Sequence, residues 1–216
     1  MPINLAITVL TSPRPKATLQ TAVASLAQAG YDGPEVWIHE DSPPSGHYTA
    51  YLSALAATLD ARPKAEAIFL LEDDVILCRG LADYLDRELW PAEPDTIGLV
   101  SPYCPAAYAP RRRGLGRQWR TQNRGWALAG SQAWIFPRLS AERIVETLGP
   151  RQSNYNADAE IGKFLQTAGL ACWYHSPSLV EHIGIGNSAL GDDLAGPLRQ
   201  SADFIGTLAN PNDLFK

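Results

Sequence analysis

The stretch Ala67–Cys78, Ala-Ile-Phe-Leu-Leu-Glu-Asp-Asp-Val-Ile-Leu-Cys, constrains the fold of this 216-residue chain more than any other. Its apolar run Ala67–Leu71 has the length and composition of a strand buried on both faces. Such a strand needs helices packed above and below it. The run then stops on three adjacent carboxylates, Glu72, Asp73 and Asp74, before turning apolar again at Val75-Ile76-Leu77. Three acids at the edge of a core repel one another unless a cation or hydrogen-bond donors neutralise them. Hard divalent cations prefer oxygen ligands and bridge to phosphates, so a strand-end acid cluster is a candidate metal–nucleotide site. A solvated acidic turn is the plain alternative for these three residues taken alone.

The flanking sequence supplies the partners that such a strand requires. Ile3–Leu10 reads as a buried first strand, and Thr11-Ser12-Pro13-Arg14-Pro15 as a turn. Leu19, Ala22, Val23, Leu26 and Ala29 recur at helical spacing, with Gly30 as the stop. Glu35–His39 is a second strand running into Glu40-Asp41, and Tyr51, Leu52, Leu55 and Leu59 mark a second helix. Strand, helix, strand, helix, strand predicts right-handed crossovers, a mainly parallel sheet and a ligand site at the strands' carboxyl ends. Thr11–Arg14, Glu40-Asp41 and Glu72–Asp74 all fall on that rim. Further on, the pattern gives a helix over 81–90, a strand over 96–101, a strand over 125–136 and a helix over 140–148. A last helix starts after Asn156, read as its cap, with Asp158 in the first turn, where the helix dipole favours an ionised acid. Leu170–His175 closes the series as a strand. His182 sits among aliphatics near Gly184 and Gly186, a setting that for a lone histidine suggests a core residue.

Bulk properties exclude several classes. With 45% apolar and 19% charged residues the chain has material for a full core, and a formal net charge of −5 disfavours nucleic acid or acidic membranes as general partners. Cys78, Cys104 and Cys172 are odd in number and widely spaced, matching neither a zinc pattern nor a disulfide framework. No apolar run approaches the ~20 residues of a membrane span, and the start lacks the features of a signal peptide, so the expectation is a cytoplasmic protein. Against the acidic average, the irregular segment 102–124 concentrates Arg111, Arg112, Arg113, Arg117, Arg120 and Arg124, a pattern suited to an anionic ligand.

Taken in order, these features resemble a nucleotide-sugar glycosyltransferase of the GT-A fold. The resemblance rests on Ile7–Arg14 with Val36–Asp41, and on Phe69–Asp74, similar to the family's strand-ending Asp-x-Asp motif. It rests also on Ala157–Ile161 with Phe164-Leu165, similar to the helix start that carries the base in inverting members, although Ala157 stands where a Glu is usual. The fourth element, Pro177–Gly184, resembles the closing segment of several such families, including family 2-like and N-acetylglucosaminyltransferase IV-like enzymes. The resemblance implies one α/β domain over 1–216, with a nucleotide-binding half (1–101), an acceptor and catalytic half (102–188) and a C-terminal tail (189–216). It implies that Asp74 and His182 hold Mn²⁺ or Mg²⁺, and that Asp158 is the general base of an inverting hexosyl or N-acetylhexosaminyl transfer. Thr11, Arg14, Asp41, Glu72, Asp73, Gly130 and Ser131 would line a nucleotide-sugar, a UDP-sugar first among them. Trp126, Arg117, Arg120 and Arg124 would meet the acceptor, a glycan or lipid-linked sugar. Two alternatives stay open. One is transfer to hydroxylated bases in DNA gripped by the 111–124 arginines; the other is a sugar-nucleotide or glycan-binding module without catalysis, to which Ala157 points.

Overall fold

The computed structural model describes residues 3–14, 17–34, 36–106, 108, 118–121, 128, 130–151, 153, 156–184 and 199–215, and for 118–121 the backbone alone. Strand β1 (Leu5–Thr11), helix α1 (Leu19–Ala29), strand β2 (Val36–Glu40), helix α2 (His47–Ala61) and strand β3 (Ala67–Glu72) follow the predicted alternation. β1 pairs in parallel with both β2 and β3, and the register sets Thr11 against Glu40 and Leu10 against Glu72. The three polar clusters therefore end on one rim, because parallel strands share their carboxyl edge.

The second half is where the sequence pattern and the structure part company. After β4 (Val75–Leu77) and α3 (Leu81–Glu88) come β5 (Ile97–Ser101), β6 (Gln118–Thr121) and β7 (Ala133–Pro137). They are followed by α4 (Arg138–Leu148), α5 (Ala157–Thr167), β8 (Ala171–Ser176), β9 (Val180–His182) and the short α6 (Pro211–Leu214). Among the described residues the main sheet has the order β2-β1-β3-β7-β5-β8-β6, and β4 and β9 form a small second sheet. β7 runs antiparallel to both β3 and β5, and β6 antiparallel to β8, while β5 and β8 are parallel. The parallel run thus ends at β3 and the sheet as a whole is mixed. Apolar continuity marks β7 as buried but carries no sign of its direction. The strand expected over 125–136 is shorter than its pattern: Ser131 and Gln132 form a turn, extended pairing begins at Ala133, and 125–127 lie outside the described residues.

Alternate side chains of the sheet feed two cores. Ala6, Leu10, Ile68, Leu70, Trp134 and Phe136 pack with α2, α4 and α5. Ile7, Val9, Phe69, Leu71 and Ile135 pack with α1, α3, β4 and β9. Each of these large side chains contributes roughly 1.5–3 kcal/mol of transfer free energy. The result is the α/β layering expected of a GT-A fold, a central sheet with helices on both faces. Gly98 holds α5 close: a Cβ there would lie 2.7 Å from Leu165 Cδ2, at the point where the β5–β8 register slips. That close approach fixes the depth at which α5, and Asp158 on its first turn, meets the sheet. No helix among the described residues is long and apolar enough to cross a membrane.

Candidate active site at the carboxyl rim

The acids that end β3 are separated by their partners into two groups. Asp73 accepts a 2.6 Å hydrogen bond from Thr11 Oγ1 and is paired with Arg14, whose guanidinium also lies 3.9 Å from Asp74 Oδ2. Burial and the neighbouring acids push the Asp73 carboxyl above its ordinary range, while Thr11 and Arg14 pull against that. Both aspartates are almost fully enclosed, at 3% and 4% exposure. Arg14 therefore pairs chiefly with Asp73 and only more distantly with Asp74.

Asp74 faces His182. The antiparallel pairing of β4 with β9 sets Val75 opposite His182, and Ile183 N–H donates to the Asp74 carbonyl at 2.8 Å. This turn brings His182 Nε2 within 3.2 Å of Asp74 Oδ2. Asp74 Oδ1 and His182 Nδ1 are buried without a hydrogen-bond partner. A buried carboxylate oxygen left bare is costly in water-free surroundings unless a cation or an ordered water takes it up. The backbone leaves room here as well: a Cβ on Gly184 would stand 2.2 Å from Asp74 Oδ2 and 2.8 Å from His182 Nε2. One carboxylate, one imidazole and a glycine-cleared space fit a divalent cation that takes oxygen and nitrogen ligands. Among the described residues no three His, Cys, Asp or Glu side chains converge as a complete protein-only site, so the remaining ligands would have to come from substrate and water. Gly184→Ala, which fills that space, is expected to raise the Mn²⁺ concentration for half-maximal binding by about 10- to 100-fold in a calorimetric titration. Unchanged affinity would remove the cation from this cradle.

The other group surrounds Glu72. Ser131 Oγ donates to Glu72 Oε1 at 2.6 Å, and His47 Nε2 lies 3.3 Å from the same oxygen and 3.1 Å from Ser131 Oγ. Burial opposes ionisation of Glu72, but His47 and Ser131 outweigh it and hold the carboxyl well below its usual range. On His47, burial disfavours a charge and Glu72 overcomes that to raise its pKa. The Ala157 backbone N–H, 3.1 Å from Nδ1, nonetheless needs a lone pair there. That bond is made by the neutral ring with its proton on Nε2, whereas Glu72 and Asp158 favour the charged ring.

Asp158 completes the group from the first turn of α5. Its Oδ1 accepts from the Ala159 N–H at 2.9 Å, and the carboxylate also takes a bond from the Gly130 backbone. Burial raises its pKa above the ordinary value; the nearby His47 lowers it and Glu72 raises it. Asn156 makes no side-chain capping bond at this helix start, contrary to the sequence expectation; the cap comes instead from His47 on α2.

The structure accordingly brings together Thr11, Arg14, Glu72, Asp73, Asp74, Gly130, Ser131, Asp158 and His182. Asp41 lies beside Thr11, its N–H donating to the Thr11 carbonyl at 2.8 Å, while its carboxylate accepts from the Ser45 backbone N–H at 2.9 Å and from Ser45 Oγ at 2.7 Å. Trp126, Arg117 and Arg124 lie outside the described residues, as does the side chain of Arg120. His47 is the member that the sequence pattern missed. Its only signal was a histidine opening a helix after the Pro43–Gly46 turn, which has no meaning until α2 is laid against α5.

No protein-family model matches the chain, and no curated protein matches its sequence. Among solved structures, the A197 protein of STIV shares the fold at TM-score 0.51 with 11% identity, over 94% of this chain and 96% of that one. Two other matches have lower scores and carry no weight beyond general similarity of shape. One is a glycosyltransferase involved in the glycosylation of the major capsid of PBCV-1, with TM-score 0.46, 12% identity, and 80% and 82% coverage. The other is a mutant of Drosophila beta-1,4-galactosyltransferase 7 in complex with manganese, UDP-Gal and xylobiose, with TM-score 0.49, 11% identity, and 82% and 70% coverage.

Proposed function

We propose that this chain, an α/β domain with GT-A layering, is a metal-dependent glycosyltransferase that moves a sugar from a nucleotide-sugar to an acceptor hydroxyl with inversion. The observation that carries the reading is one rim on which a buried Asp74 carboxylate, its Oδ1 without a hydrogen-bond partner, faces His182 while Asp158, with a raised pKa, sits beside Glu72 and His47. Asp74 and His182 would hold Mn²⁺ or Mg²⁺, and the ion when bound neutralises charge on a leaving diphosphate. Arg14, held by Asp73, adds a positive charge beside that position. Glu72, Thr11 and Asp73 support the donor side, and Gly130 and Ser131 lie where the donor sugar would rest. Asp158 would take the proton from the acceptor hydroxyl as its oxygen bonds to the anomeric carbon, with the bond to the diphosphate oxygen breaking on the opposite face.

A UDP-sugar is the proposed donor, and a glycan or lipid-linked sugar the proposed acceptor. The side chains of the arginines at 111–124 lie outside the described residues, and it is the formal net charge of −5 that argues against a DNA acceptor. Binding to the native state raises apparent stability by mass action. Thermal unfolding with UDP, GDP, ADP and CDP, each with Mn²⁺ and with chelator, is expected to show a metal-dependent rise for UDP. The absence of a rise with every nucleotide would overturn the reading in favour of a plain acidic turn.

A further inference from the structure

We infer that His47 is a positioning residue, which caps α5 from outside that helix and sets Asp158 against Glu72. The inference rests on the proposed role of Asp158 but is argued from geometry that holds without it. An α-helix leaves its first N–H groups without internal partners, and a side chain of the capping residue usually supplies one. α5 lacks that help, because Asn156 makes no side-chain capping bond. His47 Nδ1 accepts from Ala157 N–H at 3.1 Å instead, although it is 110 positions away in the chain. The other ring nitrogen reaches Glu72 Oε1 at 3.3 Å and Ser131 Oγ at 3.1 Å.

One imidazole therefore ties three elements together: the start of α2, the end of β3 with the turn before β7, and the start of α5. Its ring is fixed in turn by Tyr51 one helical turn further along α2, with the centroids 5.9 Å apart. Asp158 is the residue directly after Ala157, so the hydrogen bond to Nδ1 acts on the peptide unit next to the proposed base. A base displaced by about 1 Å can lose about 10²-fold in rate with little change in substrate binding. His47 touches no reacting atom in this arrangement. It holds the one that does.

Two isosteres separate the ring's two nitrogens. Asparagine places its Oδ1 where Nδ1 stands and keeps the bond to Ala157; glutamine places its amide nitrogen where Nε2 stands and keeps the bond to Glu72. We expect His47→Gln and His47→Ala to speed amide hydrogen exchange at 157–160 at least about tenfold, with α2, α4 and the sheet unchanged. His47→Asn should retain wild-type exchange there. With UDP-glucose, UDP-galactose and UDP-N-acetylglucosamine as probes, UDP release by the glutamine and alanine variants should drop about 10- to 100-fold in kcat at constant KM. The asparagine variant should stay within a few-fold of wild type.

Equal exchange at 157–160 in all three variants overturns the cap. Faster exchange with unaltered kcat overturns the positioning role while the transferase reading stands. If wild-type protein releases no UDP from any probe, the transferase reading fails, and the exchange result alone upholds or overturns the cap.

Discussion

Asp158→Asn should lower kcat by about 10²- to 10⁴-fold, the span attributed to a positioned general base, while donor affinity stays unchanged. Asparagine keeps the shape of aspartate and its Oδ1 can still accept the Ala159 bond, so the start of α5 should keep its form. What it loses is the ability to take a proton. The raised pKa adds a second expectation with a definite sign. A carboxyl whose folded pKa lies above its unfolded value costs stability when ionised. That cost is present above the folded pKa and vanishes as pH falls below the unfolded one. Near neutral pH the asparagine variant should therefore melt at the wild-type temperature or above it, trading activity for stability. Steady-state kinetics with a saturating nucleotide-sugar, paired with thermal unfolding, tests both halves. A variant within tenfold of the wild-type rate would remove Asp158 from the chemistry.

Asp74→Ala should abolish the metal-dependent stabilisation by nucleotide diphosphate. At a ligand concentration about one hundred times Kd, that stabilisation amounts to about 2.7 kcal/mol in the wild type. The fold should survive the change, at a cost of about 1–3 kcal/mol for the buried His182 Nε2 that loses its partner. The hydrogen bond from Ile183 goes to the Asp74 backbone carbonyl, which alanine retains, and removing one acid relieves repulsion on Asp73, which Arg14 continues to neutralise. Asp73→Ala is the useful contrast, because it strands Arg14 in a nearly buried position and should destabilise the protein outright. Calorimetry with Mn²⁺ and UDP separates the two variants. Wild-type metal binding in Asp74→Ala would mean that the cradle with His182 is only a buried polar contact.

Much of the first half was legible because its signals are local. Ala67–Leu71 reads as a strand from composition alone, and the alternation with two amphipathic helices forces Thr11, Glu40 and Glu72 onto a common rim. The place of Asp158 in the first turn of α5 was legible from the helical period, but that period says nothing of its role. His182 was ambiguous. In sequence it is a histidine among aliphatics, and only the β4–β9 pairing turns its ring to Asp74. The direction of β7 was hidden, because burial on both faces removes the period that would report a strand's surroundings.

The amino-acid order by itself determined the first three strands, the helices α1 to α5 and the placement of three acids at the end of one strand, but not β4, β6 or β9. These follow from side-chain period, chirality and the energetic cost of burying charge, all of which act over a few residues. The tertiary structure alone decided that Arg14 pairs closely with Asp73 while Asp74 meets His182 and keeps an unpartnered Oδ1. Arg14 reaches Asp73 across 59 positions, His182 reaches Asp74 across 108, and His47 reaches Ala157 across 110. No local preference encodes such contacts. They exist because the β1–β3 and β4–β9 pairings and the approach of α5 to α2 fix distances that the chain's covalent order leaves free.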